Sequence, residues 1–401
     1  FGELALDGGV RGCAGTLAIA QACVEAGMQT LLLAPERARE AMLVPDLQIA
    51  PVGQLQSAVR VLGGGSPDPL PEPQDPEHAQ TDTALASLPD LSEVRGQHQA
   101  VRALVIAAAG GHNCLLNGSP GTGKTMLAQR MPSILPELSR TEAIEVTRIH
   151  SISGDLEGKL LHSRPFRAPH HTITTAGLIG GARKGWVGEV VLAHRGVLFL
   201  DELSEFAKPT LEALRQPLED GHVAIVRAKH SRVYPARFML IAATNPCPCG
   251  YAGDGRCRCS AAGIARHRRK LSGPLLDRID LQVKLRNAGH EGLSAPPWTS
   301  SQQARERVVG ARERQAHRLN GERVTLNAYL DMRMLERHAR LDEQSQEKLR
   351  DAQARGLLSA RGQHRTLRVA RTIADLNGRE RVGMHDVGVA LSLRPETGLR
   401  A

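Results

Sequence analysis

Apolar residues change their spacing along this chain, and the changes separate strands from helices. Val197-Leu198-Phe199-Leu200 and Phe238-Met239-Leu240-Ile241-Ala242-Ala243 are unbroken apolar runs. Such runs mark strands buried on both faces, as in a parallel sheet. Cys114-Leu115-Leu116 is a shorter run of the same kind. Ala14 to Ala26 has helical apolar spacing, and Thr30 to Leu33 reads as a short strand before Ala34-Pro35. Toward the other end helical spacing dominates, over Leu335 to Leu341, Gln344 to Ala354, Arg365 to Leu376 and Asp386 to Leu393.

Two breaks divide the pattern. Residues 63–89 hold six of the 23 prolines and read as a solvated linker. Ser294-Ala295-Pro296-Pro297 is the second break. The expected units are an α/β segment over 1–62, the linker 63–89, a strand–helix unit over 90–295 and a helical unit over 300–401. The chain begins at Phe1 in what looks like the middle of a strand, so it reads as starting inside a domain. No internal repeat is visible.

Aromatic residues make up only 2% of the chain, so the core must rest on Leu, Val, Ile and Ala. No apolar run reaches the length of about 18 residues that a transmembrane helix needs, so no membrane partner is expected. Charge is uneven. Residues 1–90 carry four Arg, no Lys and twelve acids, while the whole chain is +9, which leaves +17 on residues 91–401. That asymmetry points to a polyanion partner for the larger part, against the plainer alternative of an Arg-rich solvated surface. Cys13, Cys23 and Cys114 stand singly in apolar contexts, as inert core thiols do, and seven cysteines without a signal peptide fit a reducing cytoplasm.

The chemistry starts at Gly118-Ser119-Pro120-Gly121-Thr122-Gly123-Lys124-Thr125, which follows one apolar strand and opens a helix-like run. Glycines at this spacing let backbone N–H groups wrap phosphates at a helix N-terminus. Lys124 is expected to reach the β- and γ-phosphates of ATP, and Thr125 to ligate Mg²⁺. Asp201 and Glu202 end the Val197–Leu200 run. Asp201 is placed to hold the Mg²⁺ through water and Glu202 to polarise the attacking water, so hydrolysis is expected as well as binding. Asn245 closes the next buried strand and can orient that water, or simply form a turn before Pro246. Arg278, in Leu276-Asp277-Arg278-Ile279, is either a surface ion pair or an arginine finger reaching a neighbouring subunit's γ-phosphate.

Two further groups stand out. Cys247, Cys249, Cys257 and Cys259 are spaced C-x-C-x₇-C-x-C, tighter than the usual zinc spacing. Four thiolates satisfy a closed tetrahedral Zn²⁺ site, with unmetallated thiols as the alternative. Val223–Val226 and Arg232–Tyr234 flank a basic tip containing Arg227, Lys229 and His230. This predicts a hairpin whose tip can meet phosphates of DNA. Adjacent His170 and His171 read as local structure.

Val94-Arg95-Gly96-Gln97, the Asp201-Glu202 pair, Asn245 and Leu-Leu-Asp-Arg278 together resemble the AAA+ ATPases. Arg164–Thr172 and Gly188–Gly196 are similar to the magnesium-chelatase-like branch. Asn245–Tyr251 and Leu271–Pro274 bring the chain nearest to the ComM (YifB-type) group. The resemblance covers essentially the whole chain. It implies an AAA+ P-loop parallel sheet with a helical lid, and a homo-hexamer that uses ATP to drive branch migration of single-stranded, duplex or branched DNA. A magnesium-chelatase-type motor acting on a protein partner is the alternative. It also implies that the hairpin at 227–230 points into the hexamer pore, that residues 165–181 form a second insert, and that Arg361 is a sensor-2 arginine, with Arg368 as fallback. Residues 1–62 resemble the end of a Lon-protease-like domain. The first lysine is Lys124, so that segment has no lysine for a Ser–Lys dyad and reads as structural.

Overall fold

The structure is a computed structural model that describes residues 1–70, 88–153, 160–181, 187–227, 230–253, 255–356 and 358–394. The N-terminal segment places β1 (Glu3–Leu4) antiparallel to β2 (Val10–Arg11), followed by the helix Thr16–Glu25. Next come β3 (Thr30–Leu33), the helix Pro35–Ala41, β4 (Gln48–Pro51) and the helix Leu55–Leu62. β3 and β4 pair in parallel around a small core of Leu17, Ala20, Leu33 and Ala38. The buried carboxylate of Glu40 ties this segment to the next unit, accepting hydrogen bonds from Leu17 N (3.1 Å) and from Ser151 Oγ.

The central unit is one parallel sheet of β5 (Cys114–Gly118), β6 (Phe166–Arg167), β7 (Val197–Leu200), β10 (Met239–Thr244) and β11 (Leu281–Leu285). Their order is β11-β5-β10-β7-β6. β7 and β10 are buried along their whole length, as unbroken apolar runs require. β10 lies between β5 and β7, pairing Thr244 with Asn117 and Ala242 with Leu200. The residues after these three strands therefore emerge together at one edge of the sheet. β8 (His222–Arg227) and β9 (His230–Pro235) form the expected antiparallel hairpin, with Arg227 opposite His230.

The C-terminal helices pack onto the sheet unit through the 18-residue helix Ser301–Arg318. Its polar sequence hides a narrow stripe of small residues, Ala304, Val308 and Ala311, which share a core with Ala100–Ala109 of the helix His98–Gly110. Arg312 Nε and Gln315 Nε2 donate to the carbonyls of Ala108 and Ala109, both at 3.0 Å. The helix expected over Leu335–Leu341 occupies Met332–His338 instead; Leu341 bridges to Val382. The helix expected from Arg365 begins earlier and runs Ala360–Leu376.

Buried Asp375 anchors that helix. It accepts two hydrogen bonds from Arg318 (2.6 and 2.8 Å), one from Arg371 Nη2 (2.9 Å) and one from Asn327 Nδ2 (2.8 Å). Its neighbour Thr372 meets His112 Nε2 at 2.8 Å, and His112 Nδ1 meets Asp280 Oδ2 at 3.0 Å. Gln282 N also donates to Leu393 O at 2.7 Å. Asp280, Gln282 and His112 lie at the starts of β11 and β5, so the helical unit sits against the edge of the sheet where strands begin.

Candidate active site

The phosphate loop leaves β5 and enters the helix Lys124–Gln129 through Gly123, whose φ of 86° is the left-handed conformation glycine adopts without strain. Gln97, from the segment ahead of the loop, steadies it: its Nε2 donates to Thr122 O (3.3 Å) and to Arg286 O (2.7 Å) beyond β11.

Lys124 Nζ donates to the carbonyls of Gly118 (2.6 Å) and Ser119 (3.0 Å) and to Asn245 Oδ1 (3.0 Å). Burial lowers its pKa from the ordinary lysine value, against the pull of the Asp201 and Glu202 carboxylates. Thr125 Oγ1 donates to Asp201 Oδ2 at 2.6 Å. A hydroxyl beside a carboxylate is a hard-oxygen pair that suits Mg²⁺. Asp201 Oδ1 also accepts from the backbone N–H of Glu202 (2.8 Å). Glu202 has a φ of 49°, rare outside glycine, and its side chain is exposed. Its Oε2 lies 3.5 Å from His171 Nδ1, and the His171 ring lies tilted by 36° against that of His170 with centroids 4.0 Å apart. Lys124, Thr125, Asp201, Glu202 and Asn245 thus converge at the strand-end edge of the sheet. His171 was not singled out in the sequence for this position; only the fold brings it to Glu202.

Arg278 and Arg361 are elsewhere. Both line a cavity of about 400 Å³ with Asn113, Glu219, Arg237, Arg365 and Arg368. Arg278 is ion-paired with Glu219, and its Nη1 donates to Pro274 O at 2.8 Å. Asn113 Nδ2 donates to Arg278 O (2.9 Å), and Asn113 Oδ1 accepts from Leu240 N (2.8 Å). Asn113 precedes β5, Phe238 precedes β10 and Asp280 precedes β11, so this cavity opens at the strand-start edge. The five residues of β5, at about 3.3 Å each, separate the two edges by roughly 16 Å. Neither arginine reaches the phosphate loop of its own chain. Burial alone would raise the Asp280 pKa, but the His112 hydrogen bond and nearby Arg368 and Arg365 hold it below the ordinary value.

The four clustered cysteines come together. All four sulfurs lie within 4.8 Å of one another, with Cys247–Cys249 at 3.4 Å, Cys249–Cys257 at 3.7 Å and Cys247–Cys257 at 3.9 Å. A tetrahedral site with Zn–S bonds of about 2.3 Å spaces its sulfurs about 3.8 Å apart, so the donor set fits zinc. Ala252 N donates to Cys247 Sγ at 3.2 Å, and backbone N–H groups of Arg258 and Tyr251 draw the Cys249 thiol down to about 6. Cys249 is thereby favoured as thiolate, while the neighbouring sulfurs raise Cys257 and Cys259, the latter to about 11. Cys114, by contrast, is pushed up to about 12 by burial alone, as an inert core thiol should be.

Of the three residues expected at the hairpin tip, Arg227 and His230 end β8 and start β9, and Lys229 lies outside the described residues. Among the described residues no helix is long and apolar enough to cross a membrane.

Comparison with known proteins matches residues 90–293 to the family of magnesium chelatase subunit ChlI and residues 298–394 to its C-terminal counterpart. An uncharacterized protein of Mycobacterium tuberculosis is 44% identical over 100% of this chain and 79% of its own length. The competence protein ComM of Haemophilus influenzae is 40% identical over 98% of the chain and 76% of its own length. The uncharacterized protein YifB of Escherichia coli is 39% identical over the same shares.

Proposed function

The chain belongs to the magnesium chelatase ChlI family of AAA+ ATPases, in company with ComM and YifB proteins, and from that premise we propose that it is a ring-forming, ATP-driven DNA motor. One observation carries the ring: the arginines Arg278 and Arg361 share a cavity at the sheet edge opposite the phosphate loop. A hydrolytic site that uses them needs two chains, one supplying Lys124 and Glu202, the next supplying the arginines. A homo-hexamer closes such head-to-tail contacts.

In this reading Lys124 exchanges its carbonyl and Asn245 partners for the β- and γ-phosphates. Thr125 and Asp201 hold Mg²⁺, which neutralises phosphate charge when bound. Glu202 takes a proton from the attacking water, which Asn245 orients. Arg278 leaves Glu219 for the neighbour's γ-phosphate, and Arg361 joins it there. The developing charge is thereby met from both subunits, and hydrolysis reports on the interface.

DNA is favoured as the substrate by the +17 balance of residues 91–401 and by the basic hairpin ends Arg227 and His230. The name of the ComM relative ties that protein to competence, which fits a DNA-processing role here, including branch migration. Zinc in the four-cysteine site serves structure, because four thiolates leave no open position. The family match by itself equally admits a motor that acts on a protein partner, the chelatase arrangement. Hydrolysis measured with and without DNA separates the two.

A further inference from the structure

Residues 245–250 run from the nucleotide site directly into the cysteine knuckle. Asn245 Oδ1 accepts from Lys124 Nζ (3.0 Å), and Asn245 O is bonded by His267 Nε2 (3.0 Å). Two residues later Cys247 is fully buried, and its carbonyl accepts the Gly250 N–H at 2.9 Å, closing a turn. Gly250 has a φ of 83° and lies against the phosphate loop itself. A Cβ there would stand 2.5 Å from Pro120 Cδ and 2.8 Å from Pro120 Cγ. Pro120 is otherwise exposed, so the knuckle turn is the wall that backs this part of the loop.

We infer that the four-cysteine knuckle is a positioning element of the nucleotide site. Metal held by Cys247, Cys249, Cys257 and Cys259 fixes the Gly250 turn, and the turn sets where Pro120 and its neighbours stand. A loop held in its phosphate-binding shape loses less conformational freedom when nucleotide arrives. The reverse follows by linkage: whatever metal does for nucleotide affinity, nucleotide must do equally for metal affinity. This rests on the zinc assignment proposed above.

Two glycines of one loop allow a matched test. Gly253 has a φ of 84°, nearly that of Gly250, but a Cβ on it would meet nothing within 4 Å. Gly250→Ala and Gly253→Ala carry similar backbone strain, and only the first pushes on Pro120. Zinc content and binding of a fluorescent ADP analogue are measured on both. The expected result is ADP affinity weakened about tenfold or more in Gly250→Ala and less than about twofold in Gly253→Ala. In the unaltered protein, zinc release into a chromogenic chelator is timed with and without Mg-ADP. ADP should slow release about fivefold or more, and Pro120→Ala should retain zinc but lose that protection. Equal losses in both glycine variants, or zinc release indifferent to ADP, overturns the coupling while leaving the zinc assignment intact. Purified protein that never holds zinc overturns the zinc assignment, and this inference with it.

Discussion

Thr125 Oγ1 donates a hydrogen bond to Asp201 Oδ2 across 2.6 Å, joining the first helix of the phosphate loop to the end of β7. The strands that lead into these residues, β5 and β7, are not neighbours; β10 lies between them and delivers Asn245 to Lys124 in the gap. Three strand ends therefore meet at one edge. The arginines that would complete a hydrolytic site stand at the other.

Glu202→Gln should leave ATP binding intact and lower turnover at least about 100-fold, since only water activation is lost. Lys124→Ala should lose binding as well, because the phosphates lose their cation. Nucleotide binding by fluorescence and steady-state hydrolysis, measured side by side, check both; normal turnover in Glu202→Gln removes Glu202 from this role.

Arg278→Ala and Arg361→Ala should each still bind ATP. For Arg278→Ala a loss of about 10³-fold in hydrolysis is expected, within the range of arginine fingers. Mixing Arg278→Ala with Glu202→Gln chains should restore part of the activity, at interfaces where an intact Glu202 faces an intact Arg278. No recovery at any ratio, with mixed rings verified, contradicts action between subunits.

The parts of this arrangement that could be read in the sequence are those with fixed spacing. Gly118–Thr125, the Asp201–Glu202 pair after an apolar run and Asn245 after another each sit in the strand context their chemistry needs. The helix Ser301–Arg318 was not legible individually because its buried stripe uses Ala304, Val308 and Ala311 amid charge, a weak apolar signal. The edge occupied by Arg361 was hidden for a different reason. It depends on how Asp375 gathers Arg318, Arg371 and Asn327, and on the His112–Thr372 contact, neither of which any local pattern encodes. The proximity of His171 to Glu202 and of Gly250 to Pro120 likewise exists only after folding.

Purified protein should hold about one zinc per chain, by the four-ligand count. Cys257→Ser should release it and lower thermal stability. Elemental analysis of protein prepared without chelator checks this; absence of metal contradicts it.

Glu145 stabilises the fold in a pH-dependent way. The His194 ring, 3.3 Å away, and Arg195 Nε, at 2.9 Å, hold its carboxyl down to about 2, against an ordinary 4.5. A carboxylate depressed in the fold stabilises it above the unfolded value and loses that contribution as pH falls from about 4.5 toward about 2. Burial also pushes His194 below its ordinary value, so near neutral pH the Arg195 contact is the charged one. After allowance for partial exposure, Glu145→Gln should cost about 1 kcal/mol at pH 7, with the difference from the unaltered protein vanishing toward pH 2. Denaturant unfolding across pH measures it.

The protein is proposed to be an ATP-driven DNA motor, and hydrolysis by the assembled ring tests this most directly. ATP turnover is measured with forked or duplex DNA and without it, at two salt concentrations, with binding followed by fluorescence anisotropy. The account predicts that DNA raises turnover, that binding weakens steeply with salt as phosphate contacts release counterions, and that Arg227→Ala with Lys229→Ala cuts the stimulation while sparing basal hydrolysis. An assembled ring that binds no DNA at low salt with ATP present, and whose turnover ignores DNA, would contradict it and favour a motor that acts on a protein partner.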